Sequence, residues 1–215
     1  MRKMSETDFN DLVAFFDQMA QTEWLSGIHD TLKRHTGTWS GKSILDVGCG
    51  TGRILQRGMN EARRLTGIDL SPEMIKAAKS LLGDQAELFV GDACKLPFAD
   101  ESFDLSLSTC VMFLLPEPEK GIAEMARVTK TGGMIAMLNP SMDMSIETAE
   151  SYAERHQMNG FEKEALMKWS NVSTRRHRYE PDALTSILSK HGFGEMEHYK
   201  VLDGLALITV GHKTK

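Results

Sequence analysis

The sequence feature that most constrains the fold is a short apolar run that breaks into three closely spaced glycines. Residues 44–47 are typical of a buried strand, and Gly48, Gly50 and Gly52 follow at alternate positions. After them, residues 53–56 begin a helical pattern. A strand that turns through glycines into a helix lets backbone approach a ligand closely and offers free N–H groups at the helix start. The stretch therefore predicts a nucleotide-like ligand at the carboxyl end of the first strand.

Two residues of this stretch argue against a dinucleotide. The dinucleotide fingerprint has glycine at its first, third and sixth positions, and the sixth position here is Arg53. An arginine there would obstruct the close helix–strand packing that the third glycine permits. Asp46 would be unfavourable beside a pyrophosphate and suits a cationic or amine-bearing ligand better. An NAD-dependent oxidoreductase is the nearest enzymatic alternative, and Arg53 counts against it.

Composition limits the class of protein. The chain has 215 residues, of which 41% are hydrophobic and 26% charged, enough for one well-cored domain with an appendage. The net charge of −5 gives no overall footprint for nucleic acid and favours a small-molecule substrate. No apolar run is long enough to span a bilayer, and the three cysteines form no CxxC pair. We expect a cytoplasmic monomer or homodimer without a metal site.

Apolar runs alternate with helical patterns from residue 44 to residue 138, which predicts a parallel sheet with helices on both faces. A short link at residues 202–204 predicts a final antiparallel hairpin. We interpret residues 1–40 as an N-terminal helical cap and residues 140–178 as a helical insertion that covers the pocket. Both belong to one domain spanning residues 1–215.

Carboxylates stand at the ends of two further predicted strands, where ligands bind in a doubly wound sheet. Asp69 ends the second strand and can accept hydrogen bonds from ribose hydroxyls. Asp92 and Ala93 follow the third strand. The Asp92 side chain suits an exocyclic adenine amine, and the Ala93 backbone N–H suits a ring nitrogen. Both aspartates also fit ordinary turns.

These motifs carry a resemblance to a known family. The run LDVGCGTG at residues 45–52, GDA at residues 91–93 and FDL at residues 103–105 resemble the motifs of class I, Rossmann-like methyltransferases that use S-adenosylmethionine (SAM). They are most similar to the small-molecule enzymes often called type 11. The resemblance covers about residues 42–140. It implies a three-layer α/β/α fold with a mostly parallel seven-stranded sheet, in the order 3-2-1-4-5-7-6 with the last strand antiparallel.

The resemblance implies methyl transfer from SAM to an O, N or C nucleophile of a small molecule, with S-adenosylhomocysteine (SAH) as product. A non-catalytic SAM-binding sensor or scaffold is the alternative from another class, because this chemistry requires no compulsory catalytic residue. The cofactor-binding residues that the resemblance implies are Asp46, Gly48, Cys49, Gly50, Gly52, Arg53, Asp69, Leu70, Met74, Asp92, Ala93, Ser108, Thr109 and Cys110.

A general base is needed only if the attacking atom carries a proton at neutral pH. Many relatives have one or two histidines where this chain has Phe113-Leu114, so the resemblance implies a more apolar pocket here. The candidate bases are His156, His177 and Tyr179, together with Tyr152. Each of them also fits a surface or packing role.

Two further groups of residues leave alternatives open. The basic run at residues 175–178 fits either an anionic substrate or a solvated face. Cys49, Cys94 and Cys110 all follow strand ends, where a thiol site for a metalloid is conceivable. The expected strand order places Cys94 far from Cys110, which favours small residues in tight loops instead.

Overall fold

The computed structural model describes residues 5–214. Its seven strands form one sheet. They are β1 (Ser43–Val47), β2 (Arg64–Asp69), β3 (Ala86–Val90), β4 (Phe103–Thr109), β5 (Thr129–Pro140), β6 (Phe193–Val201) and β7 (Ala206–Lys213). The strand order is β3-β2-β1-β4-β5-β7-β6, and β7 is antiparallel to both of its neighbours. The predicted order and the antiparallel last strand are confirmed.

Eight α-helices connect and flank these strands in the described part of the chain. They are α1 (Thr7–Asn10), α2 (Val13–Ala20), α3 (Glu23–His35), α4 (Pro72–Leu82), α5 (Pro118–Val128), α6 (Ile146–Arg155), α7 (Gly160–Ser173) and α8 (Pro181–Lys190). None of them is long and apolar enough to cross a membrane. The start of α4 is well defined, because the Ser71 hydroxyl accepts from Met74 N and Pro72 occupies the first turn.

The centre of the sheet is the core of the protein. All five residues of β1 are buried, and the side chains of Leu105 and Leu107 on β4 are fully inaccessible. Strands enclosed on both faces read as continuous apolar runs, which explains why the sequence indicates them clearly. The carboxyl ends of β1 and β4 therefore lie on a rigid base.

The predicted helix directly after the glycines is wrong. The chain forms only a 3-10 turn at Leu55–Gly58 before it returns to β2. The backbone at Gly58 lies against Trp39, and a Cβ added at Gly58 would be 2.6 Å from Trp39 Cε3. This packing and the short path back to β2 leave no room for an α-helix, so the glycine turn offers backbone N–H groups without a following α-helix.

The N-terminal helices and the insertion after β5 contact each other through aromatic side chains. Trp24 of α3 stacks on Trp169 of α7, with ring centroids 5.6 Å apart and planes 16° apart. Phe15 of α2 meets Phe161 of α7 edge to face at 5.4 Å. Offset and edge-to-face pairs of this kind stabilise helix contacts beyond simple burial. Helices from the two ends of the chain are thus joined.

Candidate active site

A cavity of about 410 Å³ lies at the carboxyl ends of β1 to β4, beneath α1 to α3 and α7. Most of its lining forms two walls of different character, and the remainder includes Arg53, Met74 and residues 113–116 after β4. The strand-end wall consists of Gly48, Cys49, Gly50, Thr51, Asp69, Leu70, Asp92, Ala93, Thr109 and Cys110. The helical wall consists of Phe9, Leu12, Phe15, Phe16, Met19, Leu25, His29, Lys168, Trp169, Asn171 and Val172.

Asp69 is the anchored carboxylate of the strand-end wall. Its Oδ2 accepts from Gly50 N at 2.9 Å, and its Oδ1 accepts from Ser71 N at 2.9 Å. Burial raises the pKa of Asp69, while the backbone N–H groups of Ser71, Gly50 and Leu70 oppose that rise. Each carboxylate oxygen has a further lone pair. The group is therefore held in place and can accept hydrogen bonds from hydroxyls in the cavity.

The glycines of the turn serve two purposes. Gly50 lines the cavity with φ at +51°, and a Cβ added to it would meet no atom within 4 Å. Its backbone is therefore open to close approach by a ligand. Gly52 does not line the cavity. A Cβ there would lie 2.8 Å from Leu82 Cδ1, so Gly52 permits close packing against α4.

The third and fourth strands complete the strand-end wall. Asp92 Oδ1 accepts from Cys94 N at 2.9 Å, which fixes the loop after β3, and Ala93 lies beside it in the cavity. Thr109 and Cys110 line the cavity after β4. Ser108 does not, because its fully buried hydroxyl donates to Val47 O at 3.0 Å and ties β4 to β1.

The cysteines of the cavity remain thiols. Burial raises the pKa of Cys110 to about 12, and burial also raises the pKa of Cys49. A thiol is a poor nucleophile and metal ligand until it is deprotonated. Cys94 lies outside the cavity lining. Within residues 5–214, no group of three or more His, Cys, Asp and Glu side chains is placed to hold a metal ion.

Asp46 lies beneath the strand-end wall and does not line the cavity. Its side chain is fully buried, and neither carboxylate oxygen has a hydrogen-bond partner among the described residues. Burial, with the negative charge of Asp69 as a smaller cause, raises the pKa of Asp46 to about 8. The predicted contact between Asp46 and a cationic ligand therefore stays a prediction.

Arg53 connects the two walls. Its Nε and Nη2 donate to the two carboxylate oxygens of Asp17 on α2, at 2.9 and 2.8 Å. The arginine hydrogen bonds hold the pKa of Asp17 below its usual value. Paired contacts of this kind fix orientation as well as distance. The residue that replaces the third glycine of a dinucleotide site thus anchors the N-terminal helices over the cavity.

The candidate bases lie outside the cavity lining. His156 is exposed at the end of α6, where it contacts Asp203 Oδ2 at 3.1 Å and stacks on Tyr152. His177 and Tyr179 lie before α8, and His177 Nε2 and the Tyr179 hydroxyl have no hydrogen-bond partner in the described structure. Burial raises the pKa of Tyr179. The cavity lining contains none of the three.

The basic run is tied to backbone. Arg176 Nη1 donates to Leu114 O at 3.3 Å, and Arg178 Nη1 donates to Met144 O at 2.7 Å. Neither arginine lines the cavity. These contacts favour the structural interpretation of residues 175–178 over a substrate contact.

The sequence gives weaker signals for the helical wall. His29 lies on the buried face of α3, among Leu25, Ile28 and Leu32. A histidine on an otherwise apolar helix face is the one sequence signal that could have marked it as a lining residue. No sequence signal marked three lining residues of α7, because they lie on the more polar side of that helix: Lys168, Asn171 and Val172. Contact with another element decides which face lines a cavity, and helical periodicity alone does not report it.

Comparison with known proteins identifies the family. Residues 45–137 match the family described as methyltransferase domain. The chain is 30% identical over 194 residues to a demethylmenaquinone methyltransferase of Desulfitobacterium hafniense, covering 81% of this chain and 75% of that protein. It is 28% identical over 213 residues to a 2-phytyl-1,4-naphtoquinone methyltransferase of Thermosynechococcus vestitus, covering 87% and 89%.

The fold matches as well. The structure superposes on a putative methyltransferase in complex with the Haloferax volcanii Trm112 activator with a TM-score of 0.73, at 20% identity over 99% of this chain and 98% of that one. The strand-end wall fits SAM, because Asp69 retains free lone pairs and Gly50 is open to the cavity. The chain therefore belongs to the class I, Rossmann-like SAM-dependent methyltransferases, and it is an enzyme of the small-molecule type.

Proposed function

We propose that the methyl acceptor is an apolar small molecule built on an aromatic or quinol ring. The observation that carries this proposal is the composition of the helical wall, where Phe15, Phe16, Met19, Leu25 and Trp169 face the cavity. Flat, weakly polar molecules gain most from such a surface, since burial of apolar area is the main source of affinity. A charged acceptor would lose hydration beside these five side chains, and the lysine of the wall, Lys168, is exposed and already paired with Glu164.

The rim of the cavity supports the same proposal. Leu12 and Val172 line the cavity yet remain 39% and 40% exposed. Apolar side chains at an opening suit a hydrocarbon substituent that extends from the ring towards solvent. The names of the two relatives specify quinone acceptors, demethylmenaquinone in one and 2-phytyl-1,4-naphtoquinone in the other. This agreement supports a ring with an apolar tail.

The residues of the chain chiefly bind and align. SAM supplies a methyl group that is already activated for displacement. The strand-end wall would hold SAM through Asp69, Asp92 and the backbone at Gly50, with Thr109 and Cys110 beside its methionine part. The helical wall would orient the acceptor and exclude water. The attacking atom is an O, N or C atom of the acceptor.

Turnover with isotopically labelled SAM tests the proposal. The panel contains reduced 1,4-naphthoquinones with and without an isoprenoid side chain, and phosphoethanolamine as a polar amine. We expect methyl incorporation into the naphthoquinols alone. Incorporation into phosphoethanolamine alone would contradict the apolar acceptor. Tight SAH binding without turnover of any compound would favour the sensor alternative.

A pair of variants locates the acceptor. Phe16→Ala removes a ring of the helical wall, so we expect KM for the naphthoquinol to rise about tenfold while SAH affinity changes little. Phe89→Ala removes a partly exposed ring on the edge strand β3, outside the cavity, and serves as the control. Equal effects of the two substitutions on KM would argue against the helical wall as the acceptor surface.

A further inference from the structure

Among the described residues, the helical wall contains two titratable side chains, those of Lys168 and His29. Lys168 is exposed, with its Nζ 2.8 Å from Glu164 Oε1 and 4.4 Å from the centroid of the Phe15 ring. His29 is the buried one. It lies on α3, one turn after Leu25, and only 4% of its surface is exposed. His29 Nδ1 has no hydrogen-bond partner among residues 5–214.

The surroundings keep the His29 ring neutral. Burial lowers its pKa to about 3, with the positive charge of Arg57 as the next cause and Asp30 acting weakly in the opposite sense. Arg57 donates to Asp30, to Ser26 and to Arg53 O. A neutral imidazole carries one donor and one acceptor nitrogen. His29 thus brings both a donor and an acceptor nitrogen to a wall whose other polar groups are those of Lys168 and Asn171 and the Trp169 N–H.

An unpartnered polar side chain in a core is unfavourable, because folding removes its water without replacing the hydrogen bond. An apolar residue of similar size would fill the same position on the buried stripe of α3 without that cost. Nδ1 itself is enclosed, whereas Nε2 is not among the enclosed nitrogens, and His29 borders the cavity, so a bound molecule can hydrogen-bond to the ring at Nε2. Burial, missing partner and cavity contact together indicate a ligand group at this position.

We propose that His29 forms a hydrogen bond to a hydroxyl or carbonyl oxygen on the ring of the methyl acceptor and thereby selects oxygenated rings over plain hydrocarbons. The inference rests on the proposed function, since it requires a ring acceptor on the helical wall. His29 belongs to that wall and not to the strand-end wall of Asp69 and Asp92, so it contacts the acceptor and not SAM. Its neutral ring orients the acceptor and does not take up a proton.

Two ligands that differ by one hydroxyl test this assignment. Binding of 1-naphthol and of naphthalene is measured by calorimetry in the presence of saturating SAH. For the wild-type protein we expect 1-naphthol to bind at least about tenfold more tightly, since a site that offers a buried hydrogen bond discriminates strongly against a ligand lacking it. His29→Leu should bind the two ligands with equal affinity.

A conservative variant separates hydrogen bonding from shape. His29→Gln keeps a neutral donor and acceptor, so we expect it to retain part of the preference for 1-naphthol. His212→Leu, at an exposed position on β7 outside the cavity, is the control and should retain the full preference. Loss of the preference in His29→Gln to the level of His29→Leu would overturn the hydrogen-bonding role.

The remaining outcomes distinguish the proposal of an apolar acceptor from the proposal that His29 binds it. Equal binding of both ligands by the wild type would overturn the role of His29 and leave the apolar acceptor intact. Binding of neither ligand would overturn both. A purely structural His29 would make His29→Leu less stable, whereas we expect an unfolding midpoint equal to or above that of the wild type. A fall in SAH affinity in both His29 variants, with His212→Leu unaffected, would place the ring against SAM and contradict the assignment.

Discussion

The two walls of the cavity are built by different means. The strand-end wall uses backbone and carboxylates from loops between residues 48 and 110, fixed by hydrogen bonds such as those of Asp69. The helical wall uses apolar side chains from residues 9–29 and 168–172, fixed by aromatic packing. The chemistry of the cofactor is thus specified by local motifs. The surface proposed for the acceptor depends instead on contacts between distant segments.

Two buried titratable groups respond to pH in opposite directions: Asp46, beneath the strand-end wall, and His29, in the helical wall. Among residues 5–214, the Asp46 carboxylate oxygens and His29 Nδ1 have no hydrogen-bond partner. Asp46 has a pKa of about 8 against an ordinary value of 3.8, so the folded state binds more protons and stability falls as pH rises through that window. His29 has a pKa of about 3 against 6.5, so stability falls as pH decreases through that lower window.

The largest expected effect is that of Asp46→Asn on stability. The amide has similar shape and no charge, so at pH 8 we expect the free energy of unfolding to increase by several kcal/mol, with little change near pH 4. Chemical denaturation at both pH values measures this. An increase of equal size at both pH values would show that the charge of Asp46 is not the cause.

Asp69→Ala should produce the largest effect on cofactor binding. It removes the carboxylate and also frees Gly50 N and Ser71 N, so we expect SAH affinity to fall by about 100-fold. Asp84→Ala, at an exposed position after α4, is the matched control. If the SAH affinity of Asp69→Ala stays within threefold of the wild type, Asp69 does not bind the cofactor.

Gly50→Ala should act more weakly on the same wall. The methyl group would project into open space beside the cavity from a backbone with φ at +51°, so we expect about a tenfold loss of SAH affinity. Gly37→Ala introduces the same strain at φ +69°, also in open space, outside the cavity. Both variants should lose similar stability, and a matching loss of SAH affinity in Gly37→Ala would mean that strain alone explains the effect.

The smallest expected effect concerns the connection between the walls. Asp17→Asn weakens the ion pair with Arg53, which is partly exposed, so we expect about a threefold loss of SAH affinity and a similar rise in KM for the acceptor. Asp100→Asn weakens the ion pair with Arg127 outside the cavity and is the control. A change in only one of the two constants would mean that Arg53 supports one wall and not both.

Local patterns predict the buried strands and the strand-end position of Asp69, whereas the strand order is what the resemblance to the SAM-dependent methyltransferases implies. Strand boundaries are less well indicated, since β5 begins at Thr129 and runs through the glycines at residues 132 and 133. Asp46, Gly52 and Ser108 belong to the predicted cofactor set but turn away from the cavity into packing. Whether the side chain of a residue at a strand end points into the cavity or into the core depends on its neighbours across the sheet. The motif itself does not record that.

The stacking of Trp24 on Trp169 also bears on the order in which the active site forms. The first helices leave the ribosome long before α7 is made, and contacts between distant segments are slow to form. The strand-end wall takes its lining from residues 48–110, and the part of the chain beyond them contributes a backbone hydrogen bond, from Cys110 N to Leu138 O at 2.9 Å. We expect refolding followed by hydrogen exchange to protect amides of β1 before those of α3, and simultaneous protection would contradict this order. The acceptor pocket is then the last part of the enzyme to assemble.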